Sequence, residues 1–459
     1  MDLLLLVPVL LLQDPRDRLQ EAVREGRLEE ARAALREMAA GDGARAARGL
    51  IAALPRARDR MASLLKGSVG ARSDYDRIDS SFSFGLEEER IKNRSLEKAK
   101  ERIQEANARA AEGELVYDAI RGAFATLKPE AVPVLAEEAG RTGSWILKCE
   151  LIEGLGSMGA EKPLLALLAR EKEPVALAAI LHAGVPERGA AFFKDAHWQV
   201  RLGALRSVAA SKERVETVID ALPAADARWR NAAFGGLRDL TKTDLPPDPE
   251  VWQDWWKANG ADFLAERYNP SRPRELEGPH RTTFYGIPIR SSRVCFIIDR
   301  SRSMAEQGRF AAAVKELKRL VDELPDGALV NILFFGETVT AFAASTRPLD
   351  KSVRRDLGAF IDKQRYESGT DLYRALEKGL TLVGSAETGL LREDGVDTLV
   401  VLSDGQATIG RLVDDDLVGR VIARRARYLR PVIHTVSLVN DARSLKLLSE
   451  LTGGEYRCK

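Results

Sequence analysis

The stretch VCFIIDRSRSM, from Val294 to Met304, decides how this chain is read. Its first five residues are an unbroken apolar run, the pattern of a strand buried on both faces of a parallel sheet. The run ends at Asp299. From there Asp299, Ser301 and Ser303 alternate, so in an extended loop their side chains turn to one side. Two further stretches share this oxygen-rich character: SGTD, Ser368 to Asp371, and LSDG, Leu402 to Gly405. The second of these follows another apolar run, Thr398 to Leu402. Strand ends that meet side by side are where open α/β sheets bind ligands.

The donor set is specific in chemistry. Ser301, Ser303 and Thr370 bring hydroxyls, and Asp299 and Asp404 bring carboxylates. Such oxygens suit a hard cation. Mg²⁺ takes about six of them at roughly 2.0–2.1 Å and gives up water reluctantly. The set holds no His and no Cys, which argues against zinc or copper. Neutral hydroxyls and few carboxylates leave such an ion under-neutralised, so it attracts one more anionic oxygen from outside. Any one loop by itself reads as Ser or Thr capping a following helix. The three in this order read as a metal site.

These five positions resemble the metal-ion-dependent adhesion site of von Willebrand factor type A (vWA) domains. The resemblance runs from about Ser291 to Lys459. The family pattern is Asp-x-Ser-x-Ser, then a distant Thr and a distant Asp, which fall on Asp299, Ser301, Ser303, Thr370 and Asp404. It implies a doubly wound, Rossmann-like α/β domain binding Mg²⁺, or Mn²⁺ or Ca²⁺. In the family the hydroxyls touch the metal, the Asp groups often act through water, and a partner's Asp or Glu carboxylate completes the shell. Arg300 and Arg302 stand where the family commonly has small residues. They read either as solvent-facing or as a positive field beside the ion that draws an acidic partner. In adhesion receptors a helix after the last strand slides when the site opens. This sequence stops at Lys459, straight after the expected last strand, so a static contact is expected.

The elements around the loops alternate. Gly308 to Leu324 has helical apolar spacing, and Leu329 to Phe335 with Thr338 to Ala344 reads as a hairpin around Gly336-Glu337. Asp371 to Val383 is a helix. Val413 to Leu429 is a basic helix whose Asp414, Asp415 and Asp416 suit the positive end of the helix dipole better than a second metal site. A strand at Val432 to Leu438, a helix at Asp441 to Leu451 and a strand at Glu455 to Cys458 complete a mainly parallel sheet with helices on both faces. Thr282 to Ile289 is expected to add an edge strand.

The rest of the chain reads as helical. Asp14 to Gly41 has two apolar stripes around Gly26, a helical hairpin, and Glu87 to Glu112 is a charged, apolar-poor helix that reads as exposed or as a coiled-coil arm, with a solvated face as the default. From Trp145 to about Leu240 a loose repeat recurs, clearest where Gly203 to Val208 matches Gly235 to Leu240. It resembles HEAT-type repeats, a solenoid of stacked helix pairs. Trp252, Trp255 and Trp256 are expected to close the stack rather than form a ligand platform. Tyr268 to His280, with three prolines, is a linker. The expected divisions are 1–13 signal peptide or anchor, 14–115 helical, 116–260 HEAT-like, 261–290 linker and 291–459 vWA.

Composition bounds the function. Among 459 residues, 70 Lys and Arg balance 69 Asp and Glu, so no global field favours nucleic acid or a membrane surface. Cys149, Cys295 and Cys458 are too scattered for a disulfide framework. Leu3 to Leu12 is apolar but too short to span a bilayer, and suits the core of an export signal. Export to the periplasm, cell envelope or extracellular space is therefore expected, with membrane association through this segment only. The expected function is metal-dependent protein binding, in adhesion or as a scaffold. A metal-dependent hydrolase lacks a base near the loops, since only His434 of the four histidines falls in this domain. No phosphate loop or nucleophile elbow is present, so no enzyme is expected. The remaining alternative is a subunit of an intracellular metal-insertion or chaperone-like complex.

Overall fold

A computed structural model describes residues 14–81, 86–209, 212–223, 227–243, 245–246, 248–270, 282–439 and 441–459. The apolar stretch Leu3 to Leu12 and most of the expected linker lie outside the described residues. Contacts divide the chain into two compact units, one reaching Glu171 and the other running from Lys172 to Lys459.

The first unit is helical. Helix α1 (Pro15–Glu25) starts on Asp14, whose Oδ1 accepts from the Arg16 N–H at 3.0 Å. It ends at Gly26, at φ 77°, and α2 (Leu28–Ala40) completes the expected hairpin. Next come α3 (Gly43–Asp79) and α4 (Leu86–Ala123), which pack antiparallel: Ser68 bonds Asn107, and Gly113 faces Leu64 and Met61. The charged segment expected to be solvated is thus one arm of a helical pair. Its buried stripe, Ala99, Ile103, Asn107 and Ala110, repeats every three or four residues, but only Ile103 in it is a large apolar side chain. Helices α5 (Val132–Arg141), α6 (Trp145–Ser157) and α7 (Glu161–Leu168) follow.

The second unit opens with α8 (Pro174–His182), α9 (Pro186–Gly189), α10 (Trp198–Ala209), α11 (Val215–Ala221), α12 (Ala227–Thr241) and α13 (Pro249–Leu264). Gly203 of α10 lets that helix approach α8 closely, since a Cβ there would meet the Ala178 carbonyl oxygen at 2.7 Å. Trp252 and Trp255 are buried in the core of this layer, and their indole N–H groups donate to the Pro246 carbonyl and the Tyr268 hydroxyl. They are packing residues, with no exposed aromatic platform.

The α/β part begins with β1 (Thr283–Phe284) and β2 (Ile287–Pro288). They form a separate antiparallel hairpin, not the expected edge strand of the main sheet. Tyr285 and Gly286 both have positive φ, the geometry of a two-residue hairpin turn, and this turns the chain back on itself. Phe284 instead packs on Phe296, with ring centroids 5.5 Å apart.

The main sheet holds β3 (Arg293–Asp299), β4 (Leu329–Phe335), β5 (Val339–Ala341), β6 (Arg347–Pro348), β9 (Thr398–Ser403), β10 (Val432–Ser437) and β11 (Tyr456–Cys458). Ahead of β9, β7 (Gly384–Ser385) and β8 (Leu390–Leu391) make a small separate hairpin. The main order is β11-β10-β9-β3-β4-β5, with β6 also on β4. All pairings from β11 to β4 are parallel; β5 and β6 run antiparallel to β4. Helices α14 (Arg309–Glu323), α15 (Lys351–Asp362), α16 (Leu372–Val383), α17 (Asp415–Ala426) and α18 (Arg443–Thr452) connect the strands. Helix α17 starts on Asp414, whose Oδ1 accepts from the Leu417 N–H at 2.9 Å. The acidic triplet is a helix start, as expected. Every residue of β3 and of β9 is buried. After β3 the chain moves to β4 on one side, while β9 lies on the other. The carboxyl ends of β3 and β9 therefore flank the switch point of the sheet.

Candidate functional site

Asp299 is the last residue of β3 and is fully buried. Its Oδ1 accepts from the Ser301 N–H at 2.7 Å, and its Oδ2 accepts from the Ser403 hydroxyl at 2.5 Å. The carboxylate thus ties the end of β3 to the end of β9. The Ser301 and Ser303 hydroxyls lie 3.0 Å apart, and Ser303 Oγ donates to Asp404 Oδ1 at 2.8 Å. Four of the five residues singled out in the sequence therefore form one hydrogen-bonded chain. Asp299 and Ser301 are buried at its base, whereas Ser303 is exposed, so the site opens outward at that hydroxyl.

Thr370 is not part of that chain: among the described residues no hydrogen bond ties it to the other four, and its backbone is held by the loop after Asp404. Its N–H donates to Thr408 Oγ1 at 2.9 Å, and its carbonyl accepts from the Thr408 and Ile409 N–H groups. Two residues on either side are fixed as well. Asp371 caps α16 and donates its own N–H to the Gly336 carbonyl. Glu367 pairs with Ser301 as an isolated parallel bridge. The middle loop is thereby laced between the other two, and its position does not depend on the Thr370 hydroxyl. Gly410, at φ 100°, leaves room for the Asp371 carboxylate, which a Cβ there would strike at 2.2 Å.

Burial pushes the Asp299 carboxyl up to about 6; the hydrogen bonds from Ser403 and Ser301 pull it down and the neighbouring Asp404 adds repulsion. Desolvation thus penalises the charge at the base of the site. A cation beside these two carboxylates would offset that penalty, and the donors are all oxygen, so the residues present fit a hard divalent ion. Among the described residues no group of three His, Cys, Asp or Glu side chains is arranged to hold a metal. The set here contains only two such residues and relies on hydroxyls.

Two arginines shape the site. Arg300 does not face solvent, as one reading of the loop had it: it is 7% exposed. Its guanidinium donates to Gln364, Thr338, Thr340 and Glu367 at 2.7–3.0 Å. It therefore clamps the first loop to the β4–β5 turn and the middle loop. Burial raises Glu367, but hydrogen bonds from Thr338 and the Arg300 charge outweigh this and hold its carboxyl below the usual range. Arg309, which sequence reasoning did not single out, donates to Asp404 Oδ2 at 3.1 Å. Gln307 and Gly308, both left-handed, turn the chain into α14 just before it. Ser403 was also missed. Its signal was available, since it lies beside Asp404 at the end of a buried strand.

The family model for the von Willebrand factor type A domain matches residues 294–450. That segment is a vWA domain, and the chain is a mostly helical N-terminal region followed by this α/β sheet. Calcium-activated chloride channel regulator 1 of Bos taurus is 23% identical over 198 residues, 43% of this chain and 20% of that protein. Inter-alpha-trypsin inhibitor heavy chain H2 of Mus musculus is 27% identical over 120 residues, 26% of this chain and 13% of that protein. The chain thus spans a fifth or less of these curated relatives' length. Among solved structures, a von Willebrand factor type A protein from Catenulispora acidiphila matches at 18% identity and a TM-score of 0.30, covering 36% of this chain and 38% of that one.

Proposed function

We propose that this protein is a metal-dependent protein-binding module. Asp299, Ser301, Ser303, Thr370 and Asp404 hold Mg²⁺, or Mn²⁺ or Ca²⁺ in its place. When bound, the ion supplies an electrophilic contact for one carboxylate of a partner protein. The chain's own residues do the rest. Asp299 and Ser403 lock the two central strand ends, Arg300 braces the loops, and exposed Ser303 leaves the mouth open. The observation that carries this reading is the continuous chain Asp299–Ser301–Ser303–Asp404 at the switch point of the sheet.

The vWA relatives support a role in protein–protein interaction. The helices before the α/β sheet read as HEAT-like stacked repeats that add a second recognition surface. Among the described residues no helix is long and apolar enough to cross a membrane. Export to the periplasm, envelope or extracellular space rests on the apolar Leu3 to Leu12 segment, and a mature chain starting soon after Gln13 would support it. The reading involves no chemical turnover.

The test compares wild type with Asp404→Ala in Mg²⁺ titrations and in pull-downs from envelope fractions with and without Mg²⁺. Wild type should bind the ion and retain a partner only in its presence; the variant should do neither. A wild type that binds no divalent ion, or a partner held equally well in EDTA, would overturn the reading.

A further inference from the structure

A second candidate site lies away from the metal loops, between the helical layer and the α/β sheet of the second unit. Its lining includes Gln199, Leu202, Gly203 and Arg206, spaced at i, i+3, i+4 and i+7 on one face of α10. Val175, Ala178, Ala179 and His182 present the matching face of α8. Leu391 and the segment Tyr428 to Arg430 close the other side.

Its polar content is one-sided: two guanidinium groups, a histidine, a carboxamide and a phenol, with no Asp or Glu in the lining. Arg206 makes no hydrogen bond or ion pair among the described residues. Burial, and next the nearby Arg430 charge, lower its guanidinium to about 9. Gln199 is 7% exposed, and its Nε2 has no hydrogen-bond partner. The Arg430 guanidinium meets His182 Nε2, so that nitrogen is an acceptor and the imidazole is neutral. His182 keeps an exposed face, and the packing around its ring, then the Arg430 and Arg206 charges, lower its imidazole.

The backbone also shows strain here. Arg430 has φ 50°, a left-handed conformation that is strained for a non-glycine residue. A fold gains nothing from gathering cations and an unsatisfied amide in one cleft, because buried polar groups without partners are destabilising. An anion reverses that sign.

We propose that this cleft binds a small oxyanion of the phosphate class, held by the Arg206 and Arg430 guanidinium groups and the Gln199 carboxamide. Arginine forks match tetrahedral oxyanions in charge and geometry. The apolar wall of Leu202, Leu391 and Leu429 would take the body of a phosphomonoester. The site is independent of the metal loops and can be tested in EDTA.

The experiment measures thermal unfolding and calorimetric binding of the full chain in inorganic phosphate, in phenyl phosphate and in chloride of matched ionic strength. Wild type should be stabilised by phosphate. Tighter binding of phenyl phosphate would assign the site to a phosphomonoester, and equal or weaker binding to the free anion; either supports the site. Arg206→Met should be at least as stable as wild type in chloride, because it removes a half-buried guanidinium that has no hydrogen-bond or ion-pair partner among the described residues and lies near a second cation. It should bind phosphate at least about tenfold more weakly. Gln199→Leu should weaken binding in the same direction. The proposal is overturned if phosphate and chloride give the same unfolding temperature for wild type. It is equally overturned if Arg206→Met keeps the full phosphate response, or is less stable than wild type in chloride and so marks Arg206 as structural.

Discussion

Arg309 donates to the outer oxygen of Asp404, Oδ2, at 3.1 Å, while Ser303 donates to the inner one at 2.8 Å. The carboxylate closing the candidate metal site is therefore already neutralised by a cation of the chain itself. Its side chain is 1% exposed and that of Arg309 13%. A divalent ion must share Asp404 with this guanidinium. Arg309→Gln shortens the side chain and removes the competing charge. Mg²⁺ affinity should rise about fivefold, the equivalent of roughly 1 kcal/mol. Calorimetric titration checks this; unchanged or weaker binding would mean that Arg309 supports the metal-binding geometry instead.

Asp299 allows the proposed metal binding to be tested apart from folding. Its buried carboxyl is raised to about 6, so near neutral pH its charge is a cost to the metal-free fold. Asp299→Asn removes the charge while leaving groups for Ser403 and the Ser301 N–H to meet. The variant should unfold in EDTA no earlier than wild type. Wild type should gain about 2.7 kcal/mol at Mg²⁺ concentrations a hundredfold above its dissociation constant, and the variant nothing. Denaturant titrations with Mg²⁺ and with EDTA give both numbers. A variant that keeps the Mg²⁺ response would remove Asp299 from the site.

Arg300 is expected to matter for both stability and binding. It contacts four side chains from three segments, and its loss leaves Glu367, Gln364 and two threonines short of donors. Arg300→Ala should cost about 2–4 kcal/mol. Arg300→Lys should recover little, because a point ammonium cannot replace the planar fork. Both variants should also weaken Mg²⁺ binding by loosening the loop that carries Thr370. Stability within 1 kcal/mol of wild type, or about that, would show the clamp to be redundant.

How far the sequence reveals this arrangement depends on the signal each residue carries. Strand β3 is legible because a strand buried on both faces must be apolar throughout, and its end is legible because Asp299 breaks the run. The helices that pack with large side chains are legible by period. Helix α4 is legible as a largely exposed arm, but its narrow buried stripe is not, because Ala99, Ala110 and Asn107 are residues that composition counts as neutral or polar. Helix α15 escapes notice although Val353, Leu357 and Ile361 recur every four residues, because charges surround them. Arg300 is ambiguous in the sequence for a different reason. Its four partners lie 38 to 67 residues away, and local pattern carries no trace of such contacts. The approach of the three loops to one another is legible because loop order and strand order imply it; the Arg309 contact to Asp404 depends on side-chain direction alone.

His434 gives the domain an acid-sensitive point unrelated to the metal. It lies in β10, and its Nδ1 accepts the Glu455 N–H at 3.0 Å, which holds the strand entering β11. An accepting Nδ1 must be unprotonated. Burial lowers the imidazole to about 4; Glu455 nearby raises it and Arg290, which pairs with Glu455 at 3.7 Å, lowers it. In the unfolded chain the same group titrates near 6.5. Between these values the unfolded state binds the extra proton, so folding stability is full above 6.5 and declines as pH falls toward 4. The decline attributable to His434 should reach no more than about 3 kcal/mol. His182 acts in the same direction, so wild type should lose more than this one group supplies. His434→Asn retains an acceptor for the Glu455 N–H but cannot titrate. The difference in unfolding free energy between pH 7 and pH 5 should therefore shrink by about 1–2 kcal/mol in that variant. Urea titrations at the two pH values decide it: an identical pH dependence in both proteins would mean that His434 takes up its proton in the folded state without breaking the β10–β11 contact.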